Sequence, residues 1–176
     1  MIELKRLTTQ YDPAEDRIFL AVADDQGQAL RLWLTQRLFN RLVPHLCEGL
    51  EKRGGTATDQ GPVHSLHSQV VQSFAQQQAR ATLQRERPVV PAADAPQWRV
   101  EAVDVSYAAG GARLNFKGTT EAQQALLALP TPALRQWLGI VFEQYRRAGW
   151  QTQVWPAWME EAAVPSPSKA LVGVLH

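Results

Sequence analysis

Between Arg17 and Leu34 apolar and polar positions alternate in two short runs. Ile18, Leu20 and Val22 share one side of the first run. Leu30, Leu32 and Leu34 share one side of the second, with Arg31 and Trp33 opposite. A period of two is the signature of a strand. Asp24-Asp-Gln-Gly27 separates the runs, and its glycine is free to take the positive φ of a tight turn. From Gln36 the period lengthens to that of a helix, placing Leu38, Phe39, Leu42, Val43, Leu46 and Leu50 on one stripe. Thr35 stands at the N-cap, where its hydroxyl accepts from an orphan helix N–H. Lys52 and Arg53 complement the C-terminal dipole, and Gly54-Gly55 ends the helix. Pro44 cannot donate to residue 40 and predicts a kink or a division.

The same succession returns from Trp98 to Gly149. Strands are expected over Trp98–Tyr107, Arg113–Lys117 and Gln124–Leu129, the first with a bulge, because Val100 and Val103 cannot otherwise share a face. The helix from Pro132 to Ala148 carries Leu134, Trp137, Leu138, Val141, Phe142 and Tyr145 on one side. An ungapped shift lays Tyr11 on Tyr107, Arg17 on Arg113, Gln28-Ala29-Leu30 on Gln124-Ala125-Leu126, and Thr35, Leu38 and Leu42 on Thr131, Leu134 and Leu138. It predicts two β-β-β-α units, 2–54 and 98–149, related by a pseudo-twofold axis. Two unrelated strand–helix units of similar length are the alternative.

Between the units, Thr56 to Pro62 reads as a loop and Val63 to Arg87 as an inserted helix. Val63, Leu66, Val70, Phe74 and Ala81 form a narrow apolar stripe among many glutamines, with no acid between Asp59 and Glu86. So thin a stripe suits a seam with a second copy better than a cover for the chain's own sheet, which is the competing reading. Pro88 to Pro96 is an extended linker. In the tail, 150–176, Trp150, Trp155 and Trp158 pack over the second helix or line a groove, and Lys169 to Leu175 reads as a closing strand. The whole predicts one α+β domain, 1–176, with a mainly antiparallel sheet, helices over one face, an inserted helix and a C-terminal strand.

Glu15-Asp-Arg-Ile18 and Leu32-Trp-Leu-Thr-Gln-Arg-Leu38 resemble an uncharacterised family of bacterial proteins, over roughly the first fifty residues. The resemblance implies no activity and brings no site. Repeated strands followed by a helix are also the plan of single-strand-binding folds of the whirly kind, an analogy at the level of fold alone.

Charge and composition narrow the functional classes. A net charge of +1 provides no global field toward nucleic acid or an anionic membrane. The single cysteine, Cys47, excludes an internal disulfide and fits a reducing compartment. There is no signal-peptide core and no run of membrane-spanning length, so a cytoplasmic location is expected. His64 and His67 share a helix face, but zinc needs a further ligand, and His45, Cys47 and His176 are the only other His or Cys residues. No nucleophile elbow, dinucleotide fingerprint or P-loop is present. Asp24-Asp25 and Glu160-Glu161 read as surface charge. No catalytic residue, metal site or cofactor is predicted. Arg31, Trp33, Arg37 and Arg41 lie in a stretch without acids from Gln26 to Cys47, and together suggest a basic and aromatic platform for single-stranded DNA or RNA. The leading expectation is a non-enzymatic interaction or scaffold protein that forms a homodimer through Val63, Leu66, Val70 and Phe74. Single-strand binding is the alternative, and an enzyme with an unrecognised site ranks last.

Overall fold

The structure is a computed structural model describing residues 1–54, 62–84 and 86–164. It is α+β, with two four-stranded sheets and four helices among the described residues. In the first sheet β2 (Arg6–Asp12), β3 (Arg17–Ala23) and β4 (Ala29–Leu34) are antiparallel neighbours, and β5 (Gln97–Arg99) joins β4 in parallel. In the second, β6 (Ala102–Ala108), β7 (Gly111–Lys117) and β8 (Gln124–Pro130) are antiparallel, and β1 (Ile2–Leu4) joins β8 in parallel. Each sheet is therefore completed by a three-residue strand that begins the segment building the other. The helices are α1 (Gln36–Gly54), α2 (Pro62–Ala81), α3 (Thr131–Ala148) and α4 (Ala157–Ala163).

Three expectations about boundaries change. The first strand of each segment is two strands, because the chain crosses between sheets at Lys5 and again at Val100–Glu101; the units are ββββα, not βββα. The inserted helix stops at Ala81 instead of Arg87, with the Thr82 hydroxyl turned back onto the Gln78 and Ala79 carbonyls. A short helix, α4, follows the second segment, whereas the expected strand from Lys169 to Leu175 lies outside the described residues. Through Pro44, α1 continues without division.

Local chemistry accounts for the elements. Asp24 Oδ1 accepts from the Gln26 and Gln28 N–H groups at 3.0 and 2.8 Å, and Gly27 takes φ 78° to close the β3–β4 turn. Thr35 Oγ1 accepts from Leu38 N–H at 3.2 Å, the expected cap. Thr131 is not its counterpart: it is the first residue of α3, Pro130 holds the cap position, and the Thr131 N–H donates to Gly110 O at 2.9 Å. Gly149 ends α3 in the left-handed conformation.

The buried positions correct the single ungapped shift. Leu7 and Tyr11 of β2 match Val103 and Tyr107 of β6. In the next strands Ile18, Leu20 and Val22 match Ala112, Leu114 and Phe116, because the loop at 13–16 is longer than the turn at 109–110. In the helices Phe39, Leu42, Val43, Leu46, Cys47 and Leu50 of α1 match Leu134, Trp137, Leu138, Val141, Phe142 and Tyr145 of α3, every one buried. By this alignment of buried positions Leu38 and Leu42 fall opposite Ala133 and Trp137, not Leu134 and Leu138.

One core joins both sheets with α1 and α3. Contacts run across the segments. The Tyr107 hydroxyl of β6 donates to His45 O on α1 at 3.0 Å, and Trp137 Nε1 of α3 donates to Thr9 Oγ1 on β2 at 3.1 Å. Trp150, Trp155 and Trp158 are all buried in this core, packed against α3, the helix of the second segment. The linker covers the other face of the first sheet: Val89 packs on Ala21 and Ala23, and its N–H donates to Thr8 Oγ1 at 2.8 Å.

Candidate functional site

The inserted helix α2 presents its faces in an unusual way. Gln72, Ser73, Gln76 and Ala79 are buried, while Leu66, Val70 and Phe74 are 66, 67 and 68 % exposed. Polar bonds hold the buried face to α3. Gln76 Nε2 donates to Arg135 O at 2.8 Å, Gln136 Nε2 donates to Ala79 O at 3.0 Å, and the Arg135 guanidinium donates to Gln72 Oε1. Arg80 Nη1 reaches the Ala162 and Ala163 carbonyls at 3.3 and 3.0 Å, tying α2 to the C-terminal end of α4. Of the glutamines of α2, Gln72 and Gln76 make the intramolecular contacts, while Gln77 and Gln78 are exposed. The apolar residues at i, i+4 and i+8 face outward.

Leu66, Val70 and Phe74 thus form one exposed row, as the interface reading requires; the Val63 and His64 side chains lie outside the described residues. Phe74 also borders a groove of about 650 Å³ with Gln77, Arg80, Ala81, Ala162 and Val164. A smaller cavity of about 210 Å³ lies between α2, α3 and α4, walled by Arg80, Gln136, Phe142 and Met159. Ala81, assigned to the apolar stripe in the sequence, is exposed at the end of the helix.

Of the four basic and aromatic residues, Arg31 and Trp33 sit together. The Arg31 guanidinium lies 5.0 Å from the Phe19 ring centroid and 5.6 Å from that of Trp33. Trp33 Nε1 donates to Gln97 Oε1 at 2.9 Å. Both lie on the outer side of β4, the side of Phe19 and opposite Leu30, Leu32 and Leu34. Arg37 and Arg41 project from α1 instead, both exposed. Arg41 borders a different feature, a groove of about 280 Å³ between α1 and β6, with Leu38, Leu42, Val103 and Val105 in its walls. The structure joins these residues in two places, and no single platform holds all four.

Two features escape sequence reasoning. The groove beside β6 depends on which strand lies at the sheet edge, which local pattern does not encode. Buried Arg135 was hidden because Gln72 and Gln76, its neighbours, come from a helix far away in the chain. Burial lowers its pKa, and no carboxylate pairs with it among the described residues.

Among the described residues no three His, Cys, Asp or Glu side chains gather as a metal site; His67 is exposed at the surface. Burial pushes the Cys47 thiol up to about 12, with Glu51 adding to the effect and Arg135 opposing it, so the thiol is held neutral. No described helix is long and apolar enough to cross a membrane. Comparison with protein-family models, curated proteins and solved structures finds no match to this chain.

Proposed function

We propose that the protein is a non-enzymatic interaction protein that acts as a homodimer through the outward row of α2. The observation that carries this reading is the inversion of that helix, with Gln72 and Gln76 inward and Leu66, Val70 and Phe74 outward. An isolated exposed leucine is ordinary, but three large apolar side chains in register on one helix form a patch that invites a cover. Each yields about 1.5–3 kcal/mol when fully covered, and an isologous contact covers two sets at once. The helix carries no acid, and its Arg80 is engaged with α4 carbonyls, so no charge obstructs close approach of a second α2.

The matching buried positions support a second part of the proposal: the two ββββα segments are a fused duplication about a pseudo-twofold axis. One added detail supports it. Lys5 N–H donates to Ala23 O, and Glu101 N–H donates to Lys117 O, both at 2.8 Å. Each donor precedes a strand whose first residue already faces that same acceptor residue, so both crossings have the two-against-one arrangement of a bulge.

Light scattering at micromolar concentration tests the dimer. A mass of twice the chain is expected, and a monomer mass rejects it. The Val70→Asp, Phe74→Asp variant should be monomeric with unchanged circular dichroism. A dimer that survives both charges uses another surface.

A further inference from the structure

The edges formed by β2 and β6 begin alike and are finished differently. On β2, Tyr11 N–H donates to Gln144 Oε1 at 3.0 Å, and Thr9 Oγ1 accepts from Trp137 Nε1. Side chains of α3 thereby cover that edge. At the corresponding places on α1 stand Gly49 for Gln144 and Leu42 for Trp137, so neither bond has an equivalent on β6.

The backbone of β6 is correspondingly open. The two-residue turn at 109–110 makes Ala108 and Gly111 a pair that exchanges both ladder bonds, and such pairs alternate along an antiparallel ladder. The N–H and C=O groups of Val103, Val105 and Tyr107 therefore point away from β7. None of them takes part in a hydrogen bond among the described residues outside the ladder. The strand carries no lysine or proline of the kind that guards an edge, and its only charge, Asp104, is paired with Lys117.

Beside this edge runs the groove whose walls include Leu38, Leu42, Val103 and Val105, with Arg41 at its rim. Arg37 lies one turn earlier on α1. Neither arginine pairs with a carboxylate among the described residues. Glu101, also on the rim, is already paired with Arg99.

We propose that the edge of β6 and the adjoining face of α1 dock an extended acidic peptide of a partner protein, which adds to the second sheet beside β6. Strand addition satisfies the open backbone groups and gives affinity, while alternate side chains enter the apolar groove and set specificity. A carboxylate on the added strand meets Arg41 and, one turn away, Arg37. This surface is distinct from the row on α2, so either can fail without the other.

The test uses the full chain and two labelled peptides, one alternating glutamate with valine and one alternating lysine with valine. Fluorescence anisotropy should show binding of the glutamate peptide alone, and hydrogen exchange should slow at the amides of Val103, Val105 and Tyr107. Arg41→Glu should weaken binding about tenfold or more by setting like charges together. Val105→Pro should abolish it, since it removes an N–H that β7 does not use; if that variant fails to fold, Arg41→Glu decides alone. Equal binding of both peptides overturns the proposal, as does binding without protection of the three amides. Protection that grows with protein concentration in the absence of peptide assigns the edge to a second copy and also overturns it.

Discussion

Gly49 on α1 and Tyr107 on β6 occupy one volume: a Cβ built on Gly49 would lie 2.1 Å from the Tyr107 hydroxyl oxygen and 2.4 Å from Cζ. The ring is held from above by Arg53, whose guanidinium lies 3.7 Å from its centroid while Nη1 bonds Gly49 O at 2.8 Å. Glycine inside a helix ordinarily costs about 1 kcal/mol relative to alanine. Here Gly49→Ala forces the ring out, and overpacking of this kind costs about 1–3 kcal/mol. Urea denaturation should show Gly49→Ala destabilising in the native background and neutral or stabilising alongside Tyr107→Ala. Stabilisation by Gly49→Ala alone would refute the contact.

Arg135 and Gln72 form a second coupled pair. The Arg135 guanidinium is buried 5.7 Å from the Trp158 ring centroid and donates to Gln72 Oε1, while Nη1 has no partner among the described residues. A charge removed from water without a counterion is expensive, and an apolar residue of similar volume often serves stability equally well. Arg135→Met alone strands Gln72 Oε1 and should cost about 1–3 kcal/mol. Arg135→Met combined with Gln72→Leu should recover that loss or exceed it. Thermal unfolding of the two single variants and the double variant supplies the cycle.

The Tyr145 hydroxyl donates to Asn40 Oδ1 at 2.8 Å, joining α3 to α1. Its ring packs edge-on against Phe39, Trp150 and Trp155, so Tyr145→Phe keeps the packing and deletes only the bond. A loss of about 1–2 kcal/mol is expected. For a chain of this size that lowers the melting temperature by about 2–4 °C per kcal/mol in a calorimetric scan. No change would mean that water replaces the phenol at Asn40.

Elements set by local chemistry were legible in the sequence. The Asp24–Gly27 turn, the Thr35 cap and the Gly149 stop follow from side chains bonding within a few residues. The buried stripes of α1 and α3 followed from their 3.6-residue period. The strand exchange was not legible, because β1 and β5 are too short for a period of two to show, and their partners, β8 and β4, lie in the other segment. The error at Thr131 has the same origin as the error in the shift. The two segments differ in the length of two hairpin loops, and a match of threonines outweighed the six buried positions by which α1 and α3 align under the proposed duplication.

At the candidate sites the legible part was the apolar row of α2, since Leu66, Val70 and Phe74 repeat at helical spacing. The face opposite was not, because buried glutamines look like solvated ones until Arg135 and the α3 backbone are brought to them. The groove beside β6 needed the sheet order. Arg41 stood out in the sequence for its lack of nearby acids, but its neighbours Val103 and Val105 arrive from far along the chain.

Cys47 completes the set with a pH dependence. Burial raises its thiol from 9.0 to about 12, so the folded state favours the neutral form more strongly than the unfolded chain does. A raised acid pKa contributes stability that is fully present below the unfolded value. That contribution falls as pH rises from about 9 toward about 12, where the unfolded chain ionises and the folded one does not. Cys47→Ala should therefore flatten the alkaline decline in stability measured by urea titration across this window. The same burial predicts kinetics at pH 8. A disulfide reagent should leave the folded chain untouched over minutes and release one equivalent of thiolate leaving group once guanidinium unfolds it. Immediate labelling with undisturbed circular dichroism would contradict the burial of Cys47 among Leu46, Leu50 and the α3 residues that close the core.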